Sequence, residues 1–256
     1  MDAHDDHRWI TETLTEQGVE ATGSARETIR GGWLDDDDLP TTEEAEALIL
    51  KGSLARGGMG WIRLAHQAGI ERTVAVKSLL PGESRPGVAA ELLREARLTG
   101  QLEHPNIVPV HDLRLTGDGP LMVMKHIEGQ SWEALIAEGV SMERHLEVAM
   151  ALCQALQYAH QKGIIHRDVK PANVMVGGFG EVYLLDWGVA CQPAVHGPTR
   201  RALLGTPAYM APEMTEPGGD ISPQTDIFLL GASLQEALTG APRNRGADLS
   251  EALRQA

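Results

Sequence analysis

The order of apolar and polar positions splits the chain into a polar front and a patterned body. From about Ala47 short apolar runs, partly β-branched and separated by glycines, cover Leu48–Leu54, Trp61–His66 and Thr73–Leu79, the pattern of strands. Val88–Leu102 then reads as a helix whose inward stripe carries Val88, Leu92, Glu95, Thr99 and Leu102. Val110–Leu115 and Pro120–Ile127 read as two further strands around the turn Thr116-Gly117-Asp118-Gly119. Beyond Gly129 the spacing becomes helical. Met142–Lys162 repeats Leu146, Ala149, Met150, Cys153 and Leu156 and stops at Gly163. Asp226–Leu238 is apolar nearly all round, which predicts a buried helix. Strands first and helices after imply an α+β chain of two lobes.

Composition agrees with a globular body. Of 256 residues, 42% are hydrophobic and 23% charged, which excludes wholesale disorder. No apolar run reaches the roughly 18–20 residues of a membrane helix, so no membrane segment is expected. The acidic start, Met1 to Ile10, lacks the order of a signal peptide, and the expected location is cytoplasmic. Two cysteines, Cys153 and Cys191, suit a reducing compartment. The net charge of −14 argues against nucleic acid as a partner. Residues 1–46 hold 14 acidic against 3 basic side chains, a net of −11, which leaves −3 for the body. With Asp35-Asp36-Asp37-Asp38 and Gly31-Gly32, this stretch is expected to be a flexible acidic leader.

Chemistry enters with Thr73-Val74-Ala75-Val76-Lys77. Alternation puts Ala75 and Lys77 on one face. A lysine in an apolar strand either snorkels from an edge or pairs with an anion, and Glu95 on the following helix is the natural partner. Ala55-Arg56-Gly57-Gly58-Met59-Gly60 can bring backbone N–H groups close to phosphate oxygens, although a plain hairpin turn would look the same. GxxxxGK[ST] is absent, and a strand rather than a helix follows the glycines, which disfavours P-loop and dinucleotide folds. Ile165-His166-Arg167-Asp168-Val169-Lys170-Pro171-Ala172-Asn173 concentrates both charge signs and an amide in nine residues. Asp186 ends the apolar run Leu184-Leu185. Asn173 and Asp186 are oxygen ligands of the kind Mg²⁺ takes together with phosphate oxygens, and Asp168 is then free to accept a hydroxyl proton.

These segments together resemble a bacterial eukaryotic-like (Hanks-type) serine/threonine protein kinase, from about Leu50 to Gly240. His166 to Asn173 matches HRDxKPxN, Val74 to Lys77 matches VAIK, and Asp186-Trp187-Gly188 matches DFG with Trp for Phe. Gly205 to Glu213 matches GTPxYMAPE, and Thr225 to Gly231 matches the start of the DxxxxG helix. Five motifs in the right order make coincidence negligible. The resemblance implies a bilobal kinase-like fold, with a small β-rich N-lobe over 47–128 and a mainly helical C-lobe over 129–256. It implies transfer of the ATP γ-phosphate to Ser/Thr hydroxyls of protein substrates, with ATP and Mg²⁺ as cofactors and self-association for trans-autophosphorylation.

Site roles follow from the same resemblance. Asp168 would accept the hydroxyl proton, Lys77 steadied by Glu95 would hold the α/β-phosphates, and Lys170 would sit near the γ-phosphate. Asn173 and Asp186 would bind Mg²⁺. Leu54, Ala55, Gly57, Gly58 and Gly60 would cover the nucleotide, with Ile62, Ala75 and Met175 around the adenine. Met124 would be the gatekeeper and Lys125–Ile127 the hinge. Arg167 would receive phosphorylated Thr199. Thr206, Glu213 and Asp226 would be structural, and His166 a packing residue under Trp187.

The chain departs from the family at Ala55, at Trp187, and at Thr99, which is expected to weaken the link between helix and core. It also ends at Ala256, so the C-lobe is expected to lack its last helices, leaving Glu213 without a partner and one helical face uncovered. The alternatives are a catalytically weak or inactive truncated kinase serving as a nucleotide- or partner-binding scaffold, and a small-molecule phosphotransferase.

Overall fold

The computed structural model describes residues 47–57, 60–83, 85, 87–193, 204–216 and 219–244. The leader therefore lies outside the described residues. Five strands form the first sheet: β1 Leu48–Gly57, β2 Gly60–Gln67, β3 Arg72–Ser78, β4 Val110–Thr116 and β5 Gly119–Lys125. Their spatial order is β1-β2-β3-β5-β4 with every neighbour antiparallel. Helix α1, Val88–Gly100, packs against β4 and β5. Period-two alternation buries two different sets of residues. Ala65, Val74, Val76 and Val123 form one cluster, while Met122 meets Leu92 and Ala96 of α1.

Two features of this lobe differ from the pattern reading. Strand β1 is longer than expected and almost wholly exposed, with Ile49 at 53%, because it is an edge strand with register shifts after Leu50 and Ser53. Helix α1 ends at Gly100, although Leu102 beyond it is buried as expected.

The second lobe holds a three-stranded sheet of β6 Gly129–Ser131, β7 Val174–Gly177 and β8 Val182–Leu184. Strands β6 and β7 and helix α2, Trp132–Glu138, were not legible in the pattern. They are too short for a period to show. Helix α3, Met142–Gln161, packs on β8 and on α5, Pro223–Thr239, with the four-residue α4, Pro212–Thr215, between them in sequence. Ser131 and Ser141 cap α2 and α3 through their side-chain oxygens, and Ser222 with Thr225 makes a capping box on α5. The main core, with Leu152, Leu156, Ile164, Leu184 and Leu229 fully buried, lies between these elements. Asn106, Ile107 and Val108, just ahead of β4, bond to β8 by Leu184 N to Asn106 O (2.8 Å) and Asn106 Nδ2 to Val182 O (3.0 Å), which ties the two sheets together.

Helix α5 corrects one expectation. It is buried on one face only: Asp226, Leu229, Leu230 and Ser233 are inside, whereas Ile227 and Leu238 are about half exposed. Among the described residues no helix is long and apolar enough to cross a membrane.

Trp132 is fully buried, and its indole Nε1 donates to Nδ1 of buried His145 (3.0 Å). Burial holds the His145 imidazole below its ordinary value. A base depressed in the folded state binds its proton more readily when unfolded, so this contribution is complete above the ordinary histidine range and falls away as pH drops through it. Urea midpoints measured from pH 7.5 to 5.5 are expected to fall, and His145→Gln, which keeps an acceptor that cannot protonate there, is expected to flatten the slope.

Candidate active site

The pleat of β3 sends Lys77 towards α1. Its Nζ bonds Glu95 Oε1 at 2.6 Å and Oε2 at 2.8 Å, and reaches Asp186 Oδ1 at 3.0 Å. Lys77 is buried and centrally placed rather than an edge lysine. Burial works against its ammonium, but the charges and bonds of Glu95 and Asp186 outweigh that and hold it above the ordinary lysine value. Burial, with Asp186 nearby, lifts the Glu95 carboxyl against the pull of Lys77. Asp186 is also penalised by burial, yet Lys77 holds it below the ordinary carboxylate value.

Two contiguous cavities lie between the first sheet and the stretch from Asn173 to Trp187. One, of about 430 Å³, is lined by Ala55, Gly57, Gly60, Lys77, Glu95, Asn173 and Asp186 among others. The other, of about 490 Å³, is lined by Leu54, Ile62, Ala75, Met124, Met175, Leu185 and the segment Lys125–Gly129. Ala55, Ile62, Val108, Met124 and Leu185 border both, so the polar and apolar compartments join into one cleft. Gly58 and Met59 lie outside the described residues. Lys125 Nζ turns away to the Tyr183 hydroxyl (2.6 Å) on β8.

Asp168 sits beside this cleft with its carboxylate held from three directions. Lys170 Nζ (2.8 Å) and Asn173 Nδ2 (2.9 Å) donate to Oδ2, and Thr206 Oγ1 (2.8 Å) donates to Oδ1. Lys170 Nζ also donates to Thr206 (2.6 Å). Because Asn173 spends its N–H donors on Asp168, its carbonyl oxygen is left for the cavity that Asp186 shares. This hard oxygen pair suits a divalent ion that completes its shell with phosphate oxygens and water.

The loop that carries Asp168 is held from below by Asp226. This fully buried carboxylate accepts from the backbone N–H of His166 (2.9 Å) and of Arg167 (2.8 Å), and bonds His160 Nε2 (2.8 Å). Arg167 (φ 69°) and Asp186 (φ 58°) both occupy the left-handed region, which costs a non-glycine residue free energy and needs such restraint. His166 packs edge-on against Trp187 at 4.5 Å and bonds Leu185 O.

The sequence reading missed Arg94. It reaches from α1 to Gly188 O (2.7 Å) and Ala190 O (2.6 Å), so it anchors the helix to the segment after Asp186. Thr99 lies on the same helix and is buried. Its hydroxyl bonds back to Glu95 O (2.8 Å), and the tie from helix to core runs through Arg94 and Lys77. Arg94 followed no apolar period and matched no motif, so no sequence signal marked it. Glu213 is a second correction: it accepts from Thr225 Oγ1 at 2.6 Å. The buried Arg167 guanidinium donates through Nε and Nη2 to Val189 O, and no carboxylate pairs with it among the described residues. Thr199 lies outside the described residues.

The model of the protein kinase domain matches residues 49–255. The chain belongs to the protein kinase family. The chain is 38% identical over 202 residues to the serine/threonine-protein kinase PknB of Mycobacterium tuberculosis, covering 74% of this chain and 32% of that protein. It is 37% identical over 202 residues to a probable serine/threonine-protein kinase of Streptomyces coelicolor, covering 74% and 29%. Against the serine/threonine-protein kinase PknD of Protochlamydia amoebophila it is 33% identical over 229 residues, covering 76% and 23%. The chain thus spans between 23% and 32% of the length of these curated relatives. Its likeness is to bacterial Hanks-type kinases, and its α+β bilobal architecture is that of the family.

Gly205 brings the segment bearing Thr206 onto the loop that carries Asp168. Its φ is 124°, and a Cβ there would stand 2.9 Å from Arg167 O. Gly205→Ala is therefore expected to lower stability by roughly 1–3 kcal/mol in urea denaturation. Gly231→Ala, on an exposed turn of α5 where a Cβ meets nothing within 4 Å, is expected to leave stability unchanged or raise it.

Proposed function

We propose that this chain transfers the γ-phosphate of ATP to serine or threonine hydroxyls of proteins. The observation that carries the reading is the Asp168 carboxylate, aimed by Lys170, Asn173 and Thr206 beside a cleft whose polar end holds Lys77 and Asp186. Lys77, kept charged and immobile by Glu95, binds phosphate oxygens. Asn173 and Asp186 hold Mg²⁺, which supplies neutralisation of the β- and γ-phosphate charge. Gly57, Gly58 and Gly60 cover the phosphates, and Leu54, Ala55, Ile62, Ala75 and Met175 enclose the adenine. Met124 limits the depth of the cleft, while the Lys125 and Ile127 backbones read the adenine edge. Asp168 orients the acceptor hydroxyl and takes its proton, while Lys170 meets the charge that develops on the transferred group.

Thr206 locks the acceptor loop to Asp168, Glu213 holds the start of α5 through Thr225, and Asp226 holds the catalytic loop. The boundaries 47–128 and 129–256 serve as the two lobes, with 1–46 as an acidic leader. The enzyme works in the cytoplasm and associates with itself for phosphorylation in trans at Thr199. A phosphate there would pair with Arg167, whose buried guanidinium bonds Val189 O and has no carboxylate partner among the described residues.

Incubation with labelled Mg·ATP is expected to transfer phosphate to the chain itself and to a generic basic protein. Asp168→Asn is expected to lower the rate by about 10²–10⁴-fold. Transfer unchanged in that variant would overturn the reading. Thr199→Ala is expected to reduce both self-labelling and transfer to the added protein, read from initial rates before and after preincubation with ATP.

A further inference from the structure

The segment that carries Thr206 is supported from behind by a residue outside every motif. After α5 the chain turns at Gly240 (φ 72°) and returns beneath the segment Gly205–Glu213. Asn244, 3% exposed, donates its backbone N–H to Ala208 O (3.2 Å) and its side-chain Nδ2 to Pro207 O (2.9 Å). Pro207 has no N–H of its own, and among the described residues its carbonyl otherwise receives only a long bond from Met210 N (3.4 Å). The Pro207 acceptor settles which way the Asn244 amide points. Reversing it would set two oxygens against each other, and in the observed orientation Oδ1 is buried without a partner among the described residues.

That arrangement keeps an expensive buried amide at a position with no contact to the cleft. What it secures is the height and direction of Pro207 and Ala208. These follow directly on Thr206, whose hydroxyl donates to Asp168. Arg243, immediately before it, lies 4.6 Å over the Phe228 ring, which anchors the same return on α5.

We infer that Asn244 is a positioning residue for the acceptor protein: its two hydrogen bonds fix the Pro207–Ala208 backbone, which follows directly on the Thr206 that bonds Asp168 and so borders the place an acceptor hydroxyl must take. The inference depends on the protein kinase reading and assigns it a specificity element that lies 37 residues from Pro207 in sequence. Asn244 touches neither nucleotide-lining residues nor Asp168, so its influence is on the protein substrate and not on ATP.

The test uses the full chain with Mg·ATP and a generic basic protein as acceptor, and determines KM for each substrate and kcat. Asn244→Leu keeps the side-chain volume and removes the side-chain bond, while Asn244→Asp also sets a carboxylate against Pro207 O. The expected result is a protein-substrate KM raised about five- to tenfold in Asn244→Leu and further in Asn244→Asp, with KM for ATP within about twofold of the parent. Melting temperature serves to separate positioning from folding. If Asn244→Leu alone folds, the split between its two KM values decides the question. Equal protein-substrate KM in parent and variants would overturn the inference, as would KM values for protein and ATP that rise together. A parent that transfers no phosphate would overturn the kinase reading itself and this inference with it.

Discussion

A carboxylate sealed from water organises the reaction centre. Asp226 has no solvent to satisfy it, so its oxygens must find donors inside the protein, and they find the backbone N–H groups of His166 and Arg167 together with the His160 imidazole. Those bonds hold Arg167 in a left-handed conformation that the chain would not adopt unaided. Asp168 follows directly, so the same bonds set the direction of its carboxylate. The tie between Ser233 Oγ and Val169 O (3.3 Å) repeats the same support about two turns further along α5.

The second organising contact, Lys77 with Glu95 and Asp186, crosses the cleft between the sheet and the catalytic segment. Three charges share one buried place and are tolerable only together: removing Lys77 would leave two carboxylates facing each other. Arg94 doubles this connection at the backbone level through the Gly188 and Ala190 carbonyls. Gly188 allows the approach, since a Cβ there would stand 3.1 Å from Glu95 Oε2. Helix α1, the polar end of the cleft and the segment after Asp186 are therefore tied together by these bonds.

Function and support are divided between near and distant parts of the chain. Residues that would touch ATP or the acceptor hydroxyl cluster in the glycine-rich hairpin, β3 and the segment 166–186. The residues that hold them come from elsewhere: Glu95 and Arg94 from α1, Thr206 from the segment before α4, Asp226 and Ser233 from α5, and Asn244 from the return after it. A short acceptor such as the Pro207 carbonyl is held by a residue that no local pattern connects with it.

Much of this was readable before the fold was known, for a physical reason. Strand alternation and helical spacing are local, so β2, β3, β4, β5, α1 and α3 appear in the order of apolar residues, and the dense motif at His166–Asn173 carries its chemistry in eight adjacent positions. The pairing of Lys77 with Glu95 was reachable too, because each lies on the inward face of its own element. Exposure and support were not reachable. The edge position of β1, the half-exposed face of α5, the hydroxyl partner of Glu213 and the anchoring by Arg94 and Asn244 all depend on which elements become neighbours. A polar side chain has no period to betray it. Its partner is chosen by whichever buried carbonyl or carboxylate the packed chain leaves in need of a donor, and only the assembled structure makes that choice.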